Sequence, residues 1–158
     1  MKTKTLLSYN FVYVDTIKLE QDANGDIISY NPKGRYLKKD TASLNKYGNL
    51  EFCRFFVNNL PTVSGIYALF EDDVCVYIGR AKNLSARWGR RNYGAISPKN
   101  CYVGGQSTNC KVNNYIYEAT KAGKKLELYI YETQNYIQVE KQLLSVYAQS
   151  LKLNTQKS

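Results

Sequence analysis

The chain has 158 residues, enough for one domain with a sizeable core and a smaller appended element. Its 22 Lys and Arg against 13 Asp and Glu give a formal charge of +9 with no long lysine tract, so the charge should be spread over a folded surface facing a polyanion, nucleic acid first. It contains no histidine, which excludes serine triads, papain-like dyads, H-E-x-x-H metal sites and histidine-based nuclease centres; a general base near neutral pH must be Tyr, Lys, Cys, a carboxylate or metal-bound hydroxide.

No apolar run approaches a membrane span, Leu6-Leu7 is too short for a secretory core, and Met1-Lys2-Thr3 and Gln156-Lys157-Ser158 show no lipidation signal. A cytoplasmic protein without a membrane partner is expected. Asn24-Gly25 predicts a two-residue hairpin turn, with Ile17 to Leu19 and Ile27 to Tyr30 as its arms. Asn31-Pro32-Lys33-Gly34-Arg35 reads as a loop, and its basic neighbours Lys38 and Lys39 suit either phosphate contact or a solvated face. Asn49 is placed to cap a helix from Leu50 to Asn59, with Phe52, Phe55, Phe56 and Leu60 on the apolar side and Pro61 ending it. Residues 1–60 thus read as an N-terminal extension, a hairpin plus a helix, available for DNA recognition ahead of a domain over 61–158.

Ser64 to Phe70 and Val74 to Gly79 are rich in β-branched and aromatic residues and flank Glu71-Asp72-Asp73, the signature of a hairpin. A three-residue loop would pair Phe70 with Val74, Tyr67 with Tyr77 and Gly65 with Gly79. Two phenols would then converge on one face, either to meet a ligand or as an aromatic pair serving the core. Asn83 is positioned to cap a helix carrying Leu84, Arg87, Trp88 and Arg91 at spacings of three and four. From Asn92 to Lys111 the chain is polar and glycine-rich; Lys99, Asn100, Gln106, Ser107, Thr108, Asn109 and Lys111 suit contact with bases and phosphates, and ordinary turn chemistry explains the Asn and Gly content equally well.

Cys53 and Cys75 lie in apolar segments and read as small buried hydrophobes. Cys101 and Cys110 could share a metal or a disulfide, although two thiolates without histidine leave a zinc site short of ligands. A helix from about Val112 to Ala122 ends at Gly123, and Leu126 to Tyr131 alternates as a third strand. In the last helix Tyr136, Glu140, Leu143, Leu144 and Tyr147 share one face, so Glu140 interrupts an apolar stripe. A carboxylate there needs a hydrogen bond, a cation or a metal; pairing with Lys141 or Lys111 at the helix edge is the plainer alternative.

These residues together resemble the GIY-YIG nuclease superfamily over about the last hundred positions, from near Pro61 to Asn154. Gly65-Ile66-Tyr67 and Tyr77-Ile78-Gly79 reproduce its two name-giving tripeptides, Arg87 follows Tyr77 by ten positions, and Glu140 and Asn154 resemble its metal-binding Glu and downstream Asn. Ile96 to Cys101 with Gly104 to Cys110 is similar to a bacterial subgroup that includes restriction-enzyme relatives. The resemblance implies an α/β (α+β) fold with a small central antiparallel three-stranded sheet flanked by helices. It also implies phosphodiester hydrolysis, with one Mg²⁺ or Mn²⁺ on Glu140, Tyr67 orienting or deprotonating water, Tyr77 helping to position water or phosphate, Arg87 neutralising phosphoryl charge and Asn154 orienting the site.

Where many members carry His or Tyr four residues after the helical Arg, this chain has Arg91, which can supply charge but not act as a base, and Tyr93 lies two further on. The implied function is a metal-dependent endonuclease acting on double-stranded DNA, of restriction type, with a homodimer if the site is palindromic. A homing, mobile-element or structure-specific repair nuclease, or a non-catalytic nucleic-acid-binding protein, are the alternatives.

Overall fold

The computed structural model describes residues 2–155. It divides the described residues into two compact units: 2–17, Val57–Arg87 and 124–155 form the first, and Lys18–Phe56 with Trp88–Gly123 form the second. A boundary at residue 60 does not describe these units, because the first seventeen residues enter the same sheet as the tyrosine hairpin.

The first unit is α+β, built on a five-stranded antiparallel sheet rather than the expected three-stranded one. Its strands are β1 (Thr3–Leu6), β2 (Tyr9–Thr16), β3 (Gly65–Glu71), β4 (Val74–Ala81) and β5 (Leu126–Glu132), in the order β1-β2-β5-β3-β4. The extra strands come from a segment rich in β-branched and aromatic residues; Phe11 and Val14 are buried, three positions apart across a bulge between Tyr13 and Asp15, while Asn10 stays exposed. Glu127 in β5 is buried, and Lys2 and Lys125 pair with it. The two ammonium groups offset part of the cost of burying the charge, with Oε2 bonded by Lys2 and Oε1 left without a hydrogen-bond partner among the described residues.

On one face of the sheet, Ile66, Ala68 and Ile78 pack with Val139 and Leu143 of α3 (Tyr136–Tyr147). A short helix, α1 (Leu84–Arg87), packs against β3 and β4. Asn83 caps it as expected, its Oδ1 accepting the Ala86 N–H at 3.1 Å. The helix ends at Arg87 instead of running on to Arg91, whose backbone is left-handed at φ 70°. A last turn, α4 (Lys152–Thr155), packs against β4.

The hairpin register differs from the expected one by two displacements that add. Asp72 and Asp73 both adopt positive φ, 46° and 69°, so the loop has two residues and Glu71 pairs with Val74. Val76 is then skipped in a bulge, because Phe70 faces Cys75 whereas Leu69 faces Tyr77. A slip of one residue would have sent the two phenols to opposite faces. The turn and the bulge together shift the register by two, leaving Tyr67 opposite Gly79 and diagonal to Tyr77 on the same face.

The second unit contains α2 (Ser107–Lys121), single 3-10 turns at Pro32–Arg35 and Pro98–Cys101, and isolated bridges between extended segments. The helix expected over 50–59 is absent. Phe52 and Phe55 instead bridge to Tyr30 and Leu19 and bury their rings, leaving Phe56 71% exposed. Aromatic residues fit this extended role as well as they fit a helix face. Asn24-Gly25 does turn, with Gly25 at φ 84°, but only Gln21 and Ile27 bridge across it.

Asn113 of α2 is fully buried and ties the extended segments to the helix. Its Oδ1 accepts the Cys53 N–H at 2.8 Å, while its Nδ2 donates to the carbonyls of Cys53 at 2.9 Å and Tyr93 at 2.7 Å. All four cysteines are free thiols. Burial pushes the Cys75 thiol up to about 12.

Candidate functional site

Four structural devices concentrate on β4 and its neighbours. The first is the phenol pair. Tyr67 and Tyr77 are both nearly buried, with ring centroids 5.6 Å apart and hydroxyl oxygens 3.5 Å apart. Diagonal cross-strand neighbours remain within reach of aromatic side chains, which is why the bulged register still brings the hydroxyls together. Gly79 makes the space: a Cβ there would sit 2.6 Å from Cε1 of Tyr67, inside the ring's van der Waals envelope.

The second device is the placement of α1 on the same face. Leu84 donates its backbone N–H to the Val63 carbonyl at 2.9 Å, and its Cδ1 lies 3.1 Å from where a Cβ on Gly65 would be. Gly65 and Tyr67 alternate onto one face of β3, so the helix that carries half-buried Arg87 covers the tyrosine side of the sheet.

The third device lies on the opposite face. Glu140 of α3 accepts a hydrogen bond from Nη1 of Arg80 at 2.9 Å, an ion pair in which the Glu140 side chain is 18% exposed. Neither Lys141 nor Lys111 is the partner. Burial pushes the Glu140 carboxyl above its ordinary range, and the Arg80 guanidinium partly counters that rise. Arg80 escaped the sequence reading, although a basic residue directly after Gly79 was the available signal.

The fourth device is Asn154, which joins to β4 from outside the sheet. Its side chain accepts the Ile78 N–H and donates to the Ile78 carbonyl, both at 2.9 Å. β4 is an edge strand, and Asn154 covers part of its free margin; Glu140 contacts Arg80 rather than either phenol.

The other sequence candidates lie in the second unit. Arg91 lines a recess with Arg35, Arg54 and Arg90. The stretch expected to be an open reading loop is largely structured: Asn100 is buried with its Oδ1 accepting the Gln106 N–H, and Asn109 is fully buried in α2. Neither can present an amide to a base edge in this conformation. Ser107 and Thr108 are half-buried in the first turn of α2, whereas Lys99 and Gln106 are exposed. Lys111 is half-buried in α2, where burial and the nearby Lys46 charge push its ammonium pKa down.

Among the described residues no group of three or more His, Cys, Asp or Glu is arranged to hold a metal, so Glu140 belongs to no such group. That donor set fits a Mg²⁺-like ion only in the mode that uses one protein carboxylate, with water and phosphate completing an octahedron. Among the described residues no helix is long and apolar enough to cross a membrane. No protein-family model matches the chain, and no curated protein or solved structure matches it at a significant level.

Proposed function

We propose that the protein is a metal-dependent phosphodiester hydrolase acting on DNA, a GIY-YIG-type endonuclease of restriction type. The observation that carries this reading is the phenol pair: two hydroxyls 3.5 Å apart, held over a glycine that leaves no room for a side chain. The two phenol oxygens lie close enough together to meet one water or one phosphoryl oxygen.

In this reading Tyr67 orients or deprotonates the attacking water, and Tyr77 holds the water or a phosphoryl oxygen beside it. Arg87, on the same face, offers a planar fork of donors to the charge that grows on the phosphoryl oxygens. Glu140, on the other face of the sheet, would hold a Mg²⁺ or Mn²⁺ ion, which when bound would supply Lewis-acid stabilisation to the leaving oxygen of a phosphate reaching across the β4 edge. Its raised carboxyl pKa makes that hold sensitive to acid, and Arg80 must yield at least part of its contact. Asn154 keeps Ile78, and with it the flanking Tyr77 and Gly79, in place.

A second reading, a nucleic-acid-binding protein without hydrolysis, draws on two observations. Arg80 already engages the Glu140 carboxylate, and both phenols are nearly buried. Incubation of supercoiled and linear DNA with Mg²⁺, Mn²⁺ or EDTA separates the readings. Metal-dependent cutting supports the hydrolase; salt-sensitive binding with no nicks under any metal supports the second. Sequencing of the cut ends then distinguishes restriction from homing, mobile-element or repair activity, and a palindromic site would call for a homodimer.

A further inference from the structure

The second unit gathers Arg35, Arg54, Arg90 and Arg91 around one recess of about 360 Å³. They come from three separate stretches of chain, and no ion pair involves any of the four among the described residues. Arg54 is fixed by stacking on Tyr30, its guanidinium carbon 3.9 Å from the ring centroid. Arg91 is held in a left-handed backbone conformation that disfavours any residue with a Cβ. Four guanidinium groups brought together with no ion pair among the described residues repel one another unless an anion joins them.

A second recess, about 260 Å³, shares Arg54, Arg90 and Ala95 with the first, so the two adjoin. Phe56 lines it and is 71% exposed, a large apolar ring left in water beside a basic trough. Lys18 lines the same recess, and so does Glu20, whose carboxylate accepts the Tyr30 hydroxyl and is outnumbered there by Lys18, Arg54 and Arg90.

We propose that this trough binds an unpaired nucleic-acid strand, one backbone phosphate lying among Arg35, Arg54, Arg90 and Arg91 and the adjoining base stacking on Phe56. Planar guanidinium groups match phosphate oxygens, and aromatic faces take any base, which is how sequence-tolerant single-strand sites are built. The choice of nucleic acid as occupant rests on the hydrolase reading; the arrangement of the recess does not. Duplex DNA would hide its bases from Phe56, so the site selects single-stranded or locally unpaired DNA.

Fluorescence anisotropy in EDTA tests this without turnover, using the full chain, a short oligothymidine strand, an abasic strand of equal length and a blunt duplex. Phe56→Ala should weaken the oligothymidine about fivefold or more and leave the abasic strand unchanged. Arg35→Ala should weaken both strands and lower the slope of log affinity against log salt by about 0.7. Arg91→Gly should do the same while suiting the left-handed backbone, and thermal melts check that all three variants fold. A Phe56→Ala variant that binds both strands like wild type would overturn the site. Strand binding of the expected kind by a protein that never cuts DNA would remove the hydrolase and leave the trough. DNA cutting with a silent Phe56→Ala would do the reverse.

Discussion

Asn154 bonds both backbone groups of Ile78, accepting its N–H and donating to its carbonyl at 2.9 Å each. One side chain thereby replaces the strand that an edge position lacks, and it does so between Tyr77 and Gly79. The contact links a residue near the end of the chain to the strand on which the candidate chemistry depends. It also shields the exposed margin of the sheet from pairing with another chain.

Removing that clamp should loosen β4 first. Asn154→Ala forfeits two hydrogen bonds of about 0.5–1.5 kcal/mol each, so chemical denaturation should show a loss of about 1–3 kcal/mol. The Ile78 amide should exchange its hydrogen faster. Asn154→Asp keeps the acceptor for the Ile78 N–H but lacks the donor for its carbonyl, and should fall between the two. Unchanged exchange at Ile78 in the Ala variant would count against the clamp.

Gly79 should tolerate no side chain. A Cβ 2.6 Å from Cε1 of Tyr67 forces the ring aside or the strands apart, an overpacking cost of about 1–3 kcal/mol. Gly79→Ala should be destabilised to that extent in urea, and the displaced phenol should reduce any cleavage more than it reduces DNA binding. A fully stable Gly79→Ala protein would mean that the ring sits elsewhere.

Glu140 sets a pH dependence of known sign. Its folded carboxyl titrates above the unfolded value, about 4.3, because burial disfavours the charged form and Arg80 only partly compensates. The fold therefore binds this proton more tightly than the unfolded chain does. That stabilisation is complete below the unfolded value and is lost as pH rises through the folded one. Measured by urea unfolding from about pH 4 to neutrality, wild type should lose stability relative to Glu140→Gln as pH rises. A difference that runs the other way would mean that the Arg80 contact outweighs burial.

Asn113 makes a comparable prediction for the second unit. Asn113→Ala would strand the backbone N–H and carbonyl of Cys53 and the carbonyl of Tyr93 in a buried setting, at a cost of about 3 kcal/mol or more. Calorimetry should show a correspondingly lower melting temperature. A melting temperature equal to wild type would mean that water reaches the network.

The local patterns visible in the sequence and the structure agree where neighbours in the chain decide the outcome. The hairpin strands, the Asn83 cap, β5 and the last helix with Glu140 on its inner side all follow from periodicity and turn chemistry. The hairpin register did not, because two aspartates in left-handed conformation and a bulge at Val76 each move it by one residue. Residues 50–59 carry aromatics at helical spacing, yet Tyr30 and Leu19 capture Phe52 and Phe55 by bridging. Arg80 and the gathered arginines depend on tertiary placement: their partners lie 60 residues away for Glu140 and on separate stretches for Arg35, Arg54 and Arg90. Spacing alone carries no trace of such encounters.

The most direct test of the proposed hydrolase is cleavage of supercoiled and linear DNA by wild type, Tyr67→Phe and Glu140→Gln, each with Mg²⁺ and with EDTA, alongside a binding measurement. Wild type should cut only with metal, and both variants should bind DNA like wild type while cleaving it at least about a hundredfold more slowly, the scale of a lost catalytic acid–base group. Cleavage by Tyr67→Phe and Glu140→Gln at the wild-type rate, or none by a folded, DNA-binding wild type with any divalent metal, would contradict it.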